Sequence, residues 1–193
     1  MSVRPDAPVI AFASQDAWQV WLDEHQTDQG GVWLKIARIG SGIASVTRDE
    51  ALDVALCYGW IDGQGRSFDD GYWLQRFTPR RPRSKWSQVN TRKVALLIEA
   101  GRIQPAGLRE IELAKADGRW EAAYAPQSSA TAPEDLRQTL DENPAALAFF
   151  ETLDSRNRYA ILHRVHDAKR PETRAKRIAD FVTMLSEQWK LYP

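Results

Sequence analysis

Two prolines, Pro79 and Pro82, interrupt the most basic part of the chain and exclude regular helix or strand across it. Residues 71–98 carry seven basic side chains and no acidic one, although the whole chain is neutral, with 26 basic and 26 acidic residues. Residues 1–70, by contrast, hold five basic and eleven acidic residues. We therefore predict a stiff, extended basic loop. A local excess of arginine of this kind favours the binding of an anion.

The sequence before this loop predicts an α+β fold with a small, mostly antiparallel sheet packed with helices. The predicted strands cover residues 32–39, 60–66 and 72–78, and the predicted helices cover residues 15–26 and 48–58. Ser14 is placed to cap the first helix, and Thr47 with Glu50 forms a capping box for the second. Residues 1–11 are predicted to be a loose, proline-punctuated lead-in.

After the loop, helical patterns dominate. One helix is predicted from Ser87 or Asn90 to about Ala100, and another from Pro105 to Gly118. Residues 124–133 have the composition of a linker, and three or four helices follow it. We therefore predict an α+β core over residues 1–123 and a helical region over residues 134–193. The helices after the linker carry so much apolar area that we expect them to dock on the core, within one domain or as a second one.

Several bulk features limit the class of protein. The single cysteine, Cys57, allows no intrachain disulfide and is typical of a reducing compartment. The first residues show no apolar signal segment, and no stretch of the sequence has membrane-spanning length, so we expect a cytoplasmic protein with no membrane span. Net neutrality argues against general nucleic-acid binding. The sequence has no Walker loop, no dinucleotide fingerprint, no metalloprotease motif and no serine-hydrolase motif, and we expect no cofactor.

Several motifs carry a resemblance to a known bacterial family. They are Ala55–Gly63, Arg76–Arg80, Ser84–Asn90, Pro105–Gly107, Ala114–Trp120 and the tail motif Glu172–Ile178. Together they resemble the YdeI/OmpD-associated family, also called the OmdA or bacteriocin-protection family, over roughly residues 10–185. The resemblance implies a role in stress resistance, in protection against bacteriocins or antimicrobial peptides. The name of the family alone also implies a porin or a peptide as the protein partner. The resemblance implies no established reaction.

The candidate site is an arginine-rich anion pocket. Its predicted ligand-binding residues are Asp62, Arg76, Arg80, Arg81, Ser84, Trp86, Ser87, Asn90, Arg174 and Arg177. Guanidinium groups suit carboxylate or phosphate, and an indole ring can stack on a ligand or on an arginine. The alternative is a solvated basic edge, or a loop whose arginines pair with Asp62, Asp69 and Asp70. The two tail arginines either close over this pocket or form an ordinary solvated helix face.

The sequence leaves two main functions open. The first is a binding or stress-protection protein whose pocket takes a small anionic ligand or an acidic peptide group. The second is an enzyme acting on a phosphorylated or carboxylated small molecule, with Asp62 as general base and the arginines as clamps. An RNA-binding module is a weaker third idea. Cys57 is predicted to be a buried, inert thiol, and His163 with His166 lacks the third ligand of a metal site.

Overall fold

The structure, a computed structural model, describes residues 7–193 and divides into two compact units. Unit 1 ends at Ala123, and unit 2 comprises Tyr124–Pro193. Residues 7–193 contain one four-stranded sheet and eight α-helices. The predicted α+β class is therefore confirmed. None of the helices described is long and apolar enough to cross a membrane.

Unit 1 contains the sheet and four of the helices. Its elements in chain order are β1 (Val9–Ala11), α1 (Gln15–His25), β2 (Val32–Ala37), α2 (Arg48–Cys57), β3 (Trp60–Ser67), β4 (Tyr72–Pro79), α3 (Gln88–Glu99) and α4 (Pro105–Ala116). The predicted caps are present: Ser14 Oγ accepts from Ala17 N–H, and Thr47 and Glu50 form the reciprocal capping box. Gly59, with φ of +74°, follows α2 and reverses the chain into β3.

The strands lie in the order β1-β2-β4-β3. β4 pairs antiparallel with both β2 and β3, and β1 pairs parallel with β2. The prediction of a loose lead-in is wrong for residues 9–11, while residues 1–6 lie outside the described part of the chain. A three-residue strand is too short to show alternation, and it forms because β2 offers an edge along which its backbone can pair.

An aromatic cluster forms the core of unit 1, on the face of the sheet that packs against α1 and α2. Trp18, Trp60 and Phe77 are fully buried there, with the Trp18 ring 5.7 Å from Phe77 and 6.4 Å from Trp60. Both indole N–H groups find backbone acceptors, since Trp18 donates to Ala51 O and Trp60 to Gln26 O. Burying these large rings with their polar atoms satisfied stabilises the first half of the chain.

Unit 2 is helical. Its elements are α5 (Glu134–Asp141), α6 (Pro144–Thr152), α7 (Ser155–His166) and α8 (Pro171–Ser186). Four helices agree with the three or four predicted after the linker. Their apolar stripes form a separate core that includes Leu136, Leu140, Ile161, Val165 and Leu185. Asp154 caps α7 by accepting from Asn157 N–H, and Pro144 occupies the first turn of α6.

Candidate functional site

The sheet of unit 1 has a second face, directed away from the aromatic core, and arginines collect on it. In the β2–β4 register Trp33 lies opposite Arg76, while the neighbouring pair Val32 and Phe77 is fully buried in the core. Side chains alternate between faces along a strand, so Trp33 and Arg76 share the second face.

A β-bulge brings a further arginine to the same face. The β3–β4 register shifts between Asp62, which lies opposite Phe77, and Gly65, which lies opposite Gln75. The extra residue places Arg66 opposite Leu74, in the row that also carries Arg76, instead of opposite Trp73. The buried Gln75 amide stabilises the bulge by donating to Gly63 O at 2.8 Å.

The indole ring of Trp33 carries two of these cations. The guanidinium carbon of Arg66 lies 4.2 Å from the ring centroid, and that of Arg76 lies 5.5 Å from it. On the same face, Lys35 lies 4.5 Å from the Phe68 ring. Cation–π contacts hold such cations in fixed positions without neutralising their charge.

Arg66, Arg76 and Arg81, together with Trp33, are called the arginine cluster below. The pKa of Arg76 is lowered, first by burial of its guanidinium and then by the positive charges of Arg66 and Arg81. Arg76 donates one bond to Gly30 O, and its Nη1 is buried without a hydrogen-bond partner. Within residues 7–193, no carboxylate forms an ion pair with any of the three arginines. The cluster therefore concentrates positive charge and keeps donor capacity for an anion.

Arg80 and Trp86, both predicted to bind ligand, lie in the interior of unit 1. Arg80 is 6% exposed and Trp86 is 1% exposed, and the guanidinium carbon lies 3.4 Å from the indole centroid. Arg80 donates to Lys85 O at 3.1 Å, and Trp86 packs against Trp120 with the ring centroids 4.9 Å apart. In this arrangement the Trp86 ring covers an arginine, one of the two roles predicted for it.

The polar residues of the basic loop bond to nearby backbone. Ser84 Oγ accepts from Arg81 N–H, and Ser87 Oγ caps α3 by accepting from the N–H of the buried Asn90. The prediction of an extended loop is wrong at its centre: Ser84 N–H donates to Arg81 O and closes a turn, in which Arg83 has φ of +68°. The side chains of Ser84 and Ser87 therefore hold the loop and the start of α3 in place.

Asp62 is in β3 and lies beside β4, as the predicted antiparallel pairing of the two strands requires. Its side chain is on the face of the sheet that packs against the helices. Its carboxylate accepts from Arg48 of α2 at 2.7 Å. Arg76 is on the opposite face, so Asp62 does not orient it. Asp69 Oδ1 accepts from the backbone N–H groups of Gly71 and Tyr72, and so stabilises the β3–β4 turn. An Asp62 carboxylate already paired with Arg48 is a poor candidate for a general base.

Both tail arginines are engaged inside unit 2. Arg174 makes a bidentate pair with Asp135, with bonds of 2.5 and 2.8 Å, and also donates to Val165 O. The Arg174 hydrogen bonds hold the pKa of the Asp135 carboxyl below its usual value. Arg177 donates to Arg164 O at 2.6 Å. These contacts give both side chains a role in joining α8 to α5 and α7.

Cys57 is buried, and burial raises the pKa of its thiol to about 11, so it is protonated at neutral pH and a weak nucleophile. His163 packs its ring against Tyr124 and Tyr159. Over residues 7–193, no group of three His, Cys, Asp or Glu side chains could hold a metal ion.

Two members of the arginine cluster, Trp33 and Arg66, are absent from the predicted site. Alternation along β2 places Trp33 on the face opposite Val32 and Leu34, but its arginine neighbours depend on strand register. Arg66 is a single basic residue in a loop rich in glycine and aspartate, and only the bulge aligns it with Arg76. The glycines at 63 and 65 are the one signal of that bulge in the sequence.

The chain belongs to the family described as a domain of unknown function (DUF8412), whose model matches residues 10–110. Residues 129–188 match a second family model, described as Bacteriocin-protection, YdeI or OmpD-Associated. The predicted resemblance is thus confirmed over residues 129–188, which include the tail motif Glu172–Ile178. The motifs between residues 55 and 107 lie within the first match. No curated protein and no solved structure matches the chain.

Proposed function

We propose that this protein binds a small anionic ligand or an acidic group of a larger partner, and that the arginine cluster of unit 1 is the binding site. The observation that carries the proposal is Arg76, whose pKa is lowered by burial and by the positive charges of Arg66 and Arg81, with no carboxylate of residues 7–193 paired to these arginines. Like charges held together are costly, and a bound anion offsets that cost.

The chemistry of the cluster favours a carboxylate or a phosphate. Each guanidinium presents a planar fork of donors that matches these groups. The Trp33 ring holds the guanidinium groups of Arg66 and Arg76 in position before the ligand arrives, so less side-chain entropy is lost on binding. Arg81, which is exposed at the start of the basic loop, adds long-range attraction for an anion.

The biological role that we propose is stress resistance, in particular protection against bacteriocins or antimicrobial peptides. It rests on the family description that matches residues 129–188, which names bacteriocin protection and association with OmpD. A porin or peptide that presents an acidic group is the protein partner consistent with both that description and the arginine cluster. We also propose a cytoplasmic location, on the basis of the single, buried and protonated cysteine.

The test is an anion-dependent thermal shift of the purified full-length chain. Sodium phosphate and sodium malonate serve as probes, each compared with sodium chloride at the same ionic strength to separate binding from screening. A ligand that binds only the folded state stabilises it by RT ln(1 + [L]/Kd), so the melting temperature should rise with probe concentration. We expect Arg76→Gln and Arg81→Gln each to reduce this rise markedly.

The matched control is Arg92→Gln, which removes one positive charge from an exposed position on α3. It should leave the anion-dependent rise unchanged. If Arg92→Gln and Arg81→Gln reduced the rise equally, the effect would be general charge screening and the proposed site would be wrong. Turnover of a phosphorylated or carboxylated metabolite at this site would instead favour the enzyme alternative.

A further inference from the structure

Unit 2 contains an open cavity of about 430 Å³ beside α7. Its walls combine basic and aromatic side chains: Tyr124, Arg156, Tyr159, His163, Arg164 and Tyr192, with Ala160 in the middle of the α7 wall. On α7 the members recur at spacings of three, four, seven and eight residues, so they form one helix face. The opposite face, with Ile161 and Val165, packs into the core of unit 2.

The C-terminal residues complete the cavity, and a buried amide fixes them. Asn157 is 1% exposed; its Nδ2 donates to Tyr192 O at 3.1 Å and its Oδ1 accepts from Tyr192 N–H at 2.9 Å. This pair of bonds reproduces the pairing of two backbone residues in a sheet and sets the position of the Tyr192 ring. Asp154 accepts a further bond from Asn157 Nδ2 and orients the amide.

Two arginine side chains lie close to the Tyr192 ring. The guanidinium carbon of Arg156 is 4.3 Å from the Tyr192 ring centroid, and that of Arg164 is 6.0 Å from it. No carboxylate of the described residues forms an ion pair with either arginine. Arg156 and Arg164 lie about two turns apart on one face of α7, and without acids to offset their charge they present an anion with several donors at the edge of an aromatic cavity.

The remaining wall is aromatic and already hydrogen-bonded. Tyr159 Oη donates to Ala125 O at 3.1 Å, so its hydroxyl group has an acceptor, and Tyr159 lines the cavity. The His163 ring packs on Tyr124, with centroids 5.2 Å apart. A ligand that enters would therefore meet both aromatic rings and guanidinium groups. A cavity of about 430 Å³ falls within the usual range for small-molecule sites.

We propose that this cavity is a second binding site, for a small organic anion whose carboxylate or phosphate group is attached to a flat ring. Arg156 and Arg164 bind the anionic group, and the rings of Tyr124, Tyr159 and Tyr192 pack against the flat body. Asn157 is a positioning residue, because it acts on the ligand only through Tyr192. The site is independent of the arginine cluster, and neither binding proposal depends on the other.

The experiment measures binding of two aryl probes, benzoate and phenyl phosphate, to the full-length chain by calorimetry and ligand-observed NMR. Acetate and inorganic phosphate are the matched probes without a ring. We expect both aryl probes to bind more tightly than their ringless partners. Arg156→Gln and Arg164→Gln should each weaken aryl-probe binding by about tenfold, as expected when a charge-assisted hydrogen bond is removed.

Two controls make the result specific. Arg170→Gln removes a positive charge from an exposed position at the start of α8, and it should leave binding of the aryl probes unchanged. Arg76→Gln should leave unchanged the excess affinity of the aryl probes over their ringless partners, because that residue serves the arginine cluster, which binds the anionic group without a ring. Equal affinity of the Arg156→Gln, Arg164→Gln and Arg170→Gln proteins would overturn the site. Equal binding of benzoate and acetate would contradict the proposal that the site recognises a ring. If only Arg76→Gln abolished binding of the aryl probes, their binding site would be in unit 1.

Discussion

The guanidinium group of Arg80 lies over the indole ring of Trp86, with its central carbon 3.4 Å from the ring centroid. Both side chains are almost completely buried, and Trp86 packs in turn on Trp120. The most basic segment of the sequence thus contributes one of its arginines to the core of unit 1, while Arg81, its neighbour along the chain, remains exposed.

This stack gives the first prediction. Arg80→Lys keeps the charge but replaces a planar group with a compact ammonium that cannot lie flat on the indole or keep the same bond to Lys85 O. We expect the free energy of unfolding to fall by about 1–2 kcal/mol, the size of a desolvated cation–π contact. Urea unfolding followed by tryptophan fluorescence measures it. Arg92→Lys is the matched control on an exposed helix surface, and equal stability of the two variants would contradict a structural role for Arg80.

Gly107 gives the second prediction, because α4 passes very close to the end of α2. A Cβ at this position would lie 2.2 Å from Cys57 O and 3.0 Å from Leu56 O, and both atoms belong to backbone that cannot rotate away. Gly107→Ala should force the two helices apart and destabilise unit 1 by about 1–3 kcal/mol, as overpacking does.

The control for Gly107 is Gly30→Ala, because a Cβ at residue 30 would meet nothing within 4 Å. Its stability should stay within about 0.5 kcal/mol of wild type. Thermal or urea unfolding of the two variants under the same conditions tests this prediction. A Gly107→Ala protein as stable as the Gly30→Ala protein would mean that α2 and α4 can separate at little cost.

Part of this fold and site could be predicted from sequence, namely the part that local chemistry determines. The Thr47–Glu50 capping box and the strands around residues 60–66 and 72–78 depend on neighbours along the chain. Arg66 joins Arg76 only because a bulge shifts the β3–β4 register by one residue, and the burial of Arg80 needs an indole from across the loop. Both are tertiary effects, which periodicity and composition do not encode.

The third prediction uses the ion pair between α5 and α8. The hydrogen bonds from Arg174 lower the pKa of the Asp135 carboxyl below its usual value. Because the carboxyl has a lower pKa when folded than when unfolded, its stabilising contribution is present above about pH 4 and is lost as pH falls through the folded pKa. Asp135→Asn should therefore reduce stability at pH 7 and flatten the loss of stability below pH 4. Melting temperatures measured from pH 7 to pH 3 test this. Parallel curves for wild type and Asp135→Asn would contradict it.

The last prediction concerns Arg81, and its sign is opposite to that of most substitutions. Arg81 repels Arg76, and that repulsion is one cause of the lowered Arg76 pKa. Arg81→Gln should therefore stabilise the protein in low-salt buffer without multivalent anions, by roughly 0.2–0.5 kcal/mol, the size of repulsion between like-charged neighbours. The gain should shrink as sodium chloride is raised, because salt screens exposed charges. Phosphate should remove the stability advantage of Arg81→Gln over wild type, since the wild-type cluster gains more from a bound anion than the variant does.

Urea unfolding at low salt, at high salt and with phosphate measures all three effects, with Arg92→Gln as the matched control. A loss of stability at low salt would show that attractive contacts of Arg81 outweigh its repulsion of Arg76, and the charge argument for the arginine cluster would fail.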